Sequence, residues 1–160
     1  LDIVVTRKIG HPNNPEYAIC AVDETGALLC NESERALVDK QWLAKETKRQ
    51  QEEAMRRSVL YRGKKRPLQL KGKTAIIVDD GIATGLTMRL AVYCVRTQKP
   101  EKIIVAVPVA PAGSLRTLMQ EGADEVIVLL PPEDFSGAVG AHYKQFAQVE
   151  DADVVRLMKP

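Results

Sequence analysis

The stretch IIVDDGIATGLT, residues 76–87, decides the fold, because it has the pattern of a buried strand, a tight loop and the start of a helix. Its apolar run ends in Asp79 and Asp80, and Gly81 and Gly85 bound the loop that follows. In open α/β sheets ligands bind beyond the carboxyl ends of the strands, which is where both acids fall. The stretch therefore predicts a ligand site at one edge of a parallel sheet.

Apolar runs at residues 74–78, 102–107 and 125–130 are rich in Val and Ile on both faces, as is typical of buried parallel strands. The intervening stretches, from 87 to about 98 and from 114 to about 121, predict helices. Strand alternating with helix at this spacing indicates an α/β fold with a parallel sheet flanked by helices.

The first half of the chain predicts a strand at residues 1–5 and a hairpin of residues 17–22 with 27–30. Residues 28–62 contain no Gly or Pro and predict a charged helical insertion, as one long helix or two short ones. Asn31 with Glu34 resembles a capping box, and Trp42 is interpreted as an anchor of this segment or a subunit contact.

The chain has three cysteines, and two of them flank the hairpin turn predicted at residues 23–26. In that turn Val22 faces Ala27, which points the sulfurs of Cys20 and Cys30 to opposite faces of the hairpin. Since no Cys-x-x-Cys pattern with nearby His occurs in the sequence, neither a disulfide framework nor a zinc site is expected.

The length of 160 residues predicts one domain, and 23 basic against 21 acidic residues give a net charge of only +2. So small an excess argues against a nucleic-acid partner, and any basic function must be local. The sequence has no apolar run of about 18 residues and no signal-peptide pattern. We therefore expect a cytoplasmic protein without a membrane partner.

The loop between Gly81 and Gly85 enters a helix and so presents unpaired N–H groups and the positive end of a helix dipole to an anion. Thr84 and Thr87 add hydroxyl donors. The adjacent carboxylates suit hydroxyl groups, a cation or developing positive charge, so a phosphorylated sugar fits both halves. Paired acids after a strand also occur in response-regulator receivers, and a Thr-Gly turn can simply cap a helix.

Residues 78–85, VDDGIATG, resemble the phosphoribosyl-diphosphate binding motif of type I phosphoribosyltransferases. Further stretches resemble a bacterial and archaeal branch of this family, namely residues 1–10, 14–19, 61–63, 107–111 and 143–146. The resemblance covers essentially the whole chain, and the central motif is its chemically specific part. Members of the family usually carry a strand and a diphosphate loop upstream of the strand at residues 1–5, so the resemblance implies that residues 1–160 form an N-terminally incomplete domain.

The resemblance implies transfer of phosphoribosyl from 5-phosphoribosyl 1-diphosphate to a nitrogenous base, with release of diphosphate and with Mg²⁺ as cofactor. Asp79 and Asp80 are the implied catalytic residues, contacting the ribose hydroxyls directly or through water molecules on Mg²⁺. The residues implied to bind the 5′-phosphate are Gly81, Ala83, Thr84, Gly85, Leu86 and Thr87. We also expect a homodimer.

Arg7 and Lys8 look like the Arg-Lys pair that contacts diphosphate in adenine and orotate phosphoribosyltransferases, and they follow the strand predicted at residues 1–5. The alternative is two solvated charges at a strand end. The basic residues within 62–66 fit either a lid over the diphosphate or a solvated linker.

The acceptor base is expected beside the loop that follows the last strand, where Phe135 and Tyr143 are candidate stacking faces; aromatic side chains of the core are the alternative. The pattern does not define which base is used. A different function also fits these features: a regulatory domain that senses phosphoribosyl diphosphate without catalysis and binds nucleic acid or a partner through residues 62–66.

Overall fold

The computed structural model describes residues 1–63, 67 and 69–158. Its elements in chain order are β1 (Thr6–His11), β2 (Asn14–Asp23), β3 (Leu28–Cys30), α1 (Glu32–Arg35), α2 (Lys40–Arg62), β4 (Thr74–Val78), α3 (Leu86–Thr97), β5 (Lys102–Val107), α4 (Ala112–Gln120), β6 (Glu125–Val128) and α5 (Asp151–Leu157). Two 3-10 turns, Pro132–Asp134 and Val139–His142, follow β6. The chain forms two compact units, one of Leu1–Leu68 with Val149–Pro160 and the other of Gln69–Gln148.

The second unit contains a parallel sheet in the order β4-β5-β6. Helix α3 connects β4 to β5, and α4 connects β5 to β6. The α/β class, the parallel sheet and its flanking helices are thereby confirmed. Strand β6 is two residues shorter than the run at 125–130 predicts, although the Leu130 N–H still donates to Pro108 O at 3.0 Å.

One face of this sheet carries the core of the second unit. Ile103 and Val105 are fully buried there, in one cluster with Val92 of α3 and Leu118 of α4. On the opposite face of β4 the side chains of Ile76 and Val78 are 63% and 72% exposed. The apolar sequence of β4 is typical of a strand that is buried on both faces. The described residues cover only one of its two faces.

The first unit is built on an antiparallel sheet in the order β1-β2-β3, against which α2 packs. The strand predicted at residues 1–5 is wrong, since β1 begins at Thr6. Thr6 pairs with Asp23, the last residue of β2, so residues before Thr6 would need partners where the chain already turns into the hairpin. Arg7 and Lys8 therefore lie inside β1, and β1 does not belong to the parallel sheet.

The hairpin register differs by one residue from the prediction, and a Cys20–Cys30 disulfide results. Asp23 rather than Val22 faces Ala27, because Gly26 adopts the left-handed conformation (φ 91°) and closes a turn of only three residues. Cys20 then lies opposite Cys30, in a non-hydrogen-bonded pair in which side chains approach most closely. The expectation that the sulfurs point to opposite faces is wrong.

The charged segment forms two helices, the short α1 and the 23-residue α2. Asn31 caps α1 by accepting from the Ser33 N–H, and Asp39 caps α2 by accepting from the Trp42 N–H at 2.7 Å. The Trp42 ring packs against the core of the first unit, which agrees with its interpretation as a helix anchor. Within the described ranges no helix is long and apolar enough to cross a membrane.

Candidate functional site

The two acids of the central motif directly follow β4, at the carboxyl end of the parallel sheet. Both are exposed residues. The Asp80 N–H donates to Asp79 Oδ1 at 2.9 Å, which folds the Asp79 side chain onto its own turn. This contact orients the Asp79 carboxylate.

The protein surroundings of both carboxyl groups favour the neutral acid. Although Asp79 is exposed, desolvation by the surrounding protein atoms raises the pKa of its carboxyl group. The hydrogen bond from the Asp80 N–H lowers this pKa, and the neighbouring charge of Asp80 raises it. Burial also raises the pKa of Asp80. A nearby cation, or positive charge that develops on a ligand, would therefore relieve an unfavourable pair of charges.

The loop after the acids is anchored at its centre by Ile82. Its side chain is 2% exposed within the core, and its N–H donates to Val109 O at 2.9 Å. Gly81 passes so close to Val109 and Val139 that a Cβ would lie 2.7 to 2.9 Å from their methyl carbons. Only glycine fits this approach, and this steric limit explains why glycine stands at the start of the loop.

The loop enters α3 at Gly85, whose left-handed backbone (φ 81°) makes the N-cap turn. Leu86 is 3% exposed, so it offers the ligand side its backbone rather than its side chain. Ala83 and Thr84 are exposed, and Thr87 is half-buried in the first turn of α3. These residues form one continuous loop and helix start, with N–H groups of the first helical turn free of intrahelical partners.

Ser114 lies beside this loop, and the sequence motif alone does not indicate it. Its Oγ is 3.4 Å from the position that a Cβ on Gly85 would take. Ser114 belongs to the first turn of α4, which follows the next strand. The chain repeats the order of strand, turn and helix at β5 and α4. This repeat is the sequence signal that could have indicated Ser114.

The aromatic candidates lie in the segment after β6, but each has a protein partner. The Phe135 ring stacks on His142, with 5.6 Å between ring centroids and 16° between planes. The Tyr143 ring packs at 5.1 Å on Phe146, and its hydroxyl donates to Asp80 O at 2.6 Å. The structure thus brings Tyr143 together with the acid turn, a contact that the sequence does not predict.

Arg7 and Lys8 belong to the first unit, and both of their side chains have partners. Arg7 Nε donates to Gln50 Oε1 at 3.0 Å, and Lys8 Nζ pairs with Glu16 at 2.6 Å. Burial lowers the pKa of Arg7, and the nearby cation of Arg57 lowers it further. The prediction that this pair follows a strand at residues 1–5 is wrong, since both residues lie inside β1 of the antiparallel sheet.

A cation at the acid turn would have a sparse set of protein ligands. In the part of the chain that the structure describes, no group of three or more His, Cys, Asp or Glu side chains could hold a metal ion. Two adjacent carboxylates, with water and ligand oxygens completing the shell, match the way Mg²⁺ is commonly bound beside phosphates. The donor set of Asp79 and Asp80 therefore fits Mg²⁺ delivered with a phosphorylated ligand.

Comparisons with known proteins identify the family. A solved structure, TT1426 from Thermus thermophilus, is 38% identical with a TM-score of 0.72, over 99% of this chain and 74% of that one. Two Mycobacterium tuberculosis proteins, each named a "putative phosphoribosyl transferase", are 35% identical over 160 residues, and the chain spans 36% of the length of these curated relatives. The model of the phosphoribosyl transferase domain matches residues 18–144. The chain therefore belongs to the phosphoribosyl transferase domain family.

Proposed function

We propose that the protein transfers phosphoribosyl from 5-phosphoribosyl 1-diphosphate to a nitrogenous base, with release of diphosphate. The observation that carries this proposal is the position of Asp79 and Asp80 at the carboxyl end of β4, joined by an anchored loop to the start of α3. A carboxylate pair beside an anion-binding helix start matches a ribose that carries a 5′-phosphate.

The loop binds the 5′-phosphate. Its exposed part, Ala83 and Thr84, lies between the buried Ile82 and the left-handed Gly85, so it is held at both ends. N–H groups at the start of α3 and the hydroxyls of Thr84 and Thr87 donate to the phosphate oxygens. Since the loop is fixed before binding, little reorganisation opposes that contact.

Asp79 and Asp80 bind the 2′- and 3′-hydroxyls of the ribose, directly or through water on Mg²⁺. When the C1–O bond breaks, its electron pair leaves with diphosphate and the sugar gains positive charge. A lone pair on the base nitrogen then forms the C1–N bond, and a ring nitrogen that carries a proton releases it to solvent. The two carboxylates stabilise the positive charge near the ring, while Mg²⁺, when bound, neutralises charge on the leaving diphosphate.

Arg7 and Lys8 are the proposed diphosphate contacts. The Lys8–Glu16 pair is exposed, so its exchange for a diphosphate oxygen costs little. Arg7 lies among charged side chains: burial and the nearby cations of Arg57 and Arg49 lower its pKa, and the carboxylate of Glu53 raises it. Its planar guanidinium is suited to bind two oxygens of a phosphate group at once.

The base is proposed to contact the segment after β6, with Phe135 and Tyr143 as stacking faces. The stack of Phe135 on His142 gives Phe135 a fixed plane, and Ser136 orients the His142 ring through its N–H at 3.1 Å. A flat heterocycle is the ligand that such a rigid ring favours. We further propose that the protein is a homodimer, which size-exclusion chromatography with light scattering tests.

The test is isothermal titration of the protein with 5-phosphoribosyl 1-diphosphate in the presence of Mg²⁺, followed by diphosphate release with a panel of purine, pyrimidine and pyridine bases. We expect binding by the wild type and loss of at least tenfold in affinity in Asp79→Asn and Asp80→Asn, because charge-assisted contacts are worth about 1.5–3 kcal/mol each. Glu101→Gln, which removes an exposed carboxylate elsewhere in the same unit, is the matched control.

Two outcomes oppose the proposal. A wild type that does not bind phosphoribosyl diphosphate excludes the proposed site. Equal affinities of Asp79→Asn and Glu101→Gln exclude it as well. Binding without turnover for any base favours the sensor hypothesis instead. Of the basic residues in that segment, Arg62 has its guanidinium held by Asp2 and by Ile3 O, and Lys64, Lys65 and Arg66 lie outside the described residues.

A further inference from the structure

The hydroxyl of Tyr143 reaches the backbone of the acid turn. It donates to Asp80 O at 2.6 Å, across 63 residues of sequence. The ring is supported from behind by Phe146, at a centroid distance of 5.1 Å and an interplanar angle of 40°. The Phe146 ring is in turn packed on Gly140, where a Cβ would lie 2.8 Å from Phe146 Cδ1.

A second contact of the same segment falls on the next residue of the turn. The methyl carbons of Val139 lie 2.7 and 2.9 Å from the position of a Cβ on Gly81. Residues 139–146, which we call the brace, therefore hold both sides of one peptide bond, that between Asp80 and Gly81. A polar contact fixes its oxygen, and a steric contact fixes the α-carbon that follows.

Fixing that peptide bond has a consequence for the acids. Because the peptide group is planar, the direction of the Asp80 carbonyl also sets the direction of the Gly81 N–H. The Asp80 side chain leaves the α-carbon at the start of this plane, so the hydroxyl of Tyr143 limits how the backbone beneath the second carboxylate can rotate. Asp79 has its own restraint from the Asp80 N–H, at 2.9 Å.

We propose that Tyr143 is a positioning residue that acts through Asp80 to hold the acid turn in the conformation that binds phosphoribosyl diphosphate. This inference rests on the proposed function and deepens it. A ring that only stacks on the base requires no hydroxyl, whereas the positioning role resides in the hydroxyl. Removal of the hydroxyl oxygen therefore separates the stacking role of Tyr143 from its positioning role.

The experiment compares Tyr143→Phe with Tyr93→Phe by isothermal titration with phosphoribosyl diphosphate and Mg²⁺. Tyr93 is an exposed residue of α3, 59% accessible, so its variant loses a hydroxyl outside the site. We expect the Kd of Tyr143→Phe to rise about three- to tenfold at a stoichiometry near that of the wild type, as the loss of one hydrogen bond predicts. Tyr93→Phe should stay within about twofold of the wild type, an upper bound for a surface substitution.

The outcomes separate this inference from the proposed function. A wild type that binds while Tyr143→Phe binds equally well overturns the positioning role and leaves the proposed function intact. A lower stoichiometry at unchanged Kd, with a fallen Tm, assigns Tyr143 a purely structural role and also overturns the inference. A wild type that does not bind phosphoribosyl diphosphate overturns both.

Discussion

Replacement of Gly81 by alanine perturbs the acid turn through sterics alone. The new methyl group would lie 2.7 Å from Val139 Cγ1 and 2.8 Å from Val109 Cγ2, far inside the usual contact distance of about 3.5–4.0 Å between carbons. Both neighbours are branched at Cβ and cannot rotate a methyl away without displacing another. The loop or the brace must therefore move.

Overpacking of this kind costs about 1–3 kcal/mol of the free energy of unfolding. At about 2–4 °C per kcal/mol for a domain of this size, Gly81→Ala should lower Tm by about 2–12 °C in a thermal melt followed by circular dichroism. The displacement falls on the residue after Asp80, so the affinity for phosphoribosyl diphosphate in the presence of Mg²⁺ should fall in the same variant.

Gly113→Ala serves as the control for Gly81→Ala, and Val139→Ala serves as the rescue variant. Gly113 lies in the first turn of α4, and an added methyl carbon there would have no described atom within 4 Å apart from its chain neighbours and the backbone of its own helix. Gly113→Ala should therefore raise stability by about 0.5–1 kcal/mol. Val139→Ala removes two of the three close contacts of the new methyl group on residue 81 and should recover part of the loss in the double variant. An unchanged Tm in Gly81→Ala, or costs that simply add in the double variant, would refute the argument.

Other predictions concern charge and the disulfide. Desolvation and the neighbouring charge of Asp80 raise the pKa of Asp79 above 3.8 in the folded protein, so its contribution to stability is lost as pH rises through that raised pKa. Asp79→Asn should therefore raise Tm at pH 7 while weakening binding at least tenfold. For the same reason, titration calorimetry across pH should show phosphoribosyl-diphosphate binding weakening on acidification at a higher pH than an ordinary aspartate would give. Reduction of Cys20–Cys30, which closes a short loop, should cost about 2–3 kcal/mol. That loss should appear as a Tm about 4–12 °C lower with dithiothreitol, equally in wild type and Cys94→Ser; a reductant-insensitive Tm contradicts the bridge.

The parts of the fold that the sequence predicts are those encoded locally. The strand, loop and helix of residues 74–97 follow from an apolar run, two acids and two glycines within 14 residues of one another, and the structure has β4 and α3 in those places. A turn that leads into a helix start is predictable in the same way, because the turn residues and the first helical residues lie within one short stretch.

The sequence-based predictions fail where one residue changes the length of a turn or where strand pairing depends on a distant part of the chain. The left-handed Gly26 shortens the hairpin turn by one residue and so exchanges the faces of Cys20 and Cys30. The strand predicted at residues 1–5 fails because β2 ends at Asp23. The bond from Tyr143 to Asp80 joins two elements with no local pattern in common, so sequence spacing carries no signal of it.

The arrangement of buried and exposed residues explains how a short loop can be both rigid and open to a ligand. Ile82 is fixed in the core, Gly81 is wedged between two valines and Gly85 is locked in a turn conformation that other residues rarely adopt. These three restraints leave only Ala83 and Thr84 exposed between them. Donors held in this way need not reorganise when a phosphate binds. Little conformational entropy is then lost on binding to oppose the favourable electrostatic interaction. Replacement of Ile82 should thus weaken binding in a titration with phosphoribosyl diphosphate, as we also expect for replacement of Thr84, although the Ile82 side chain is buried in the core.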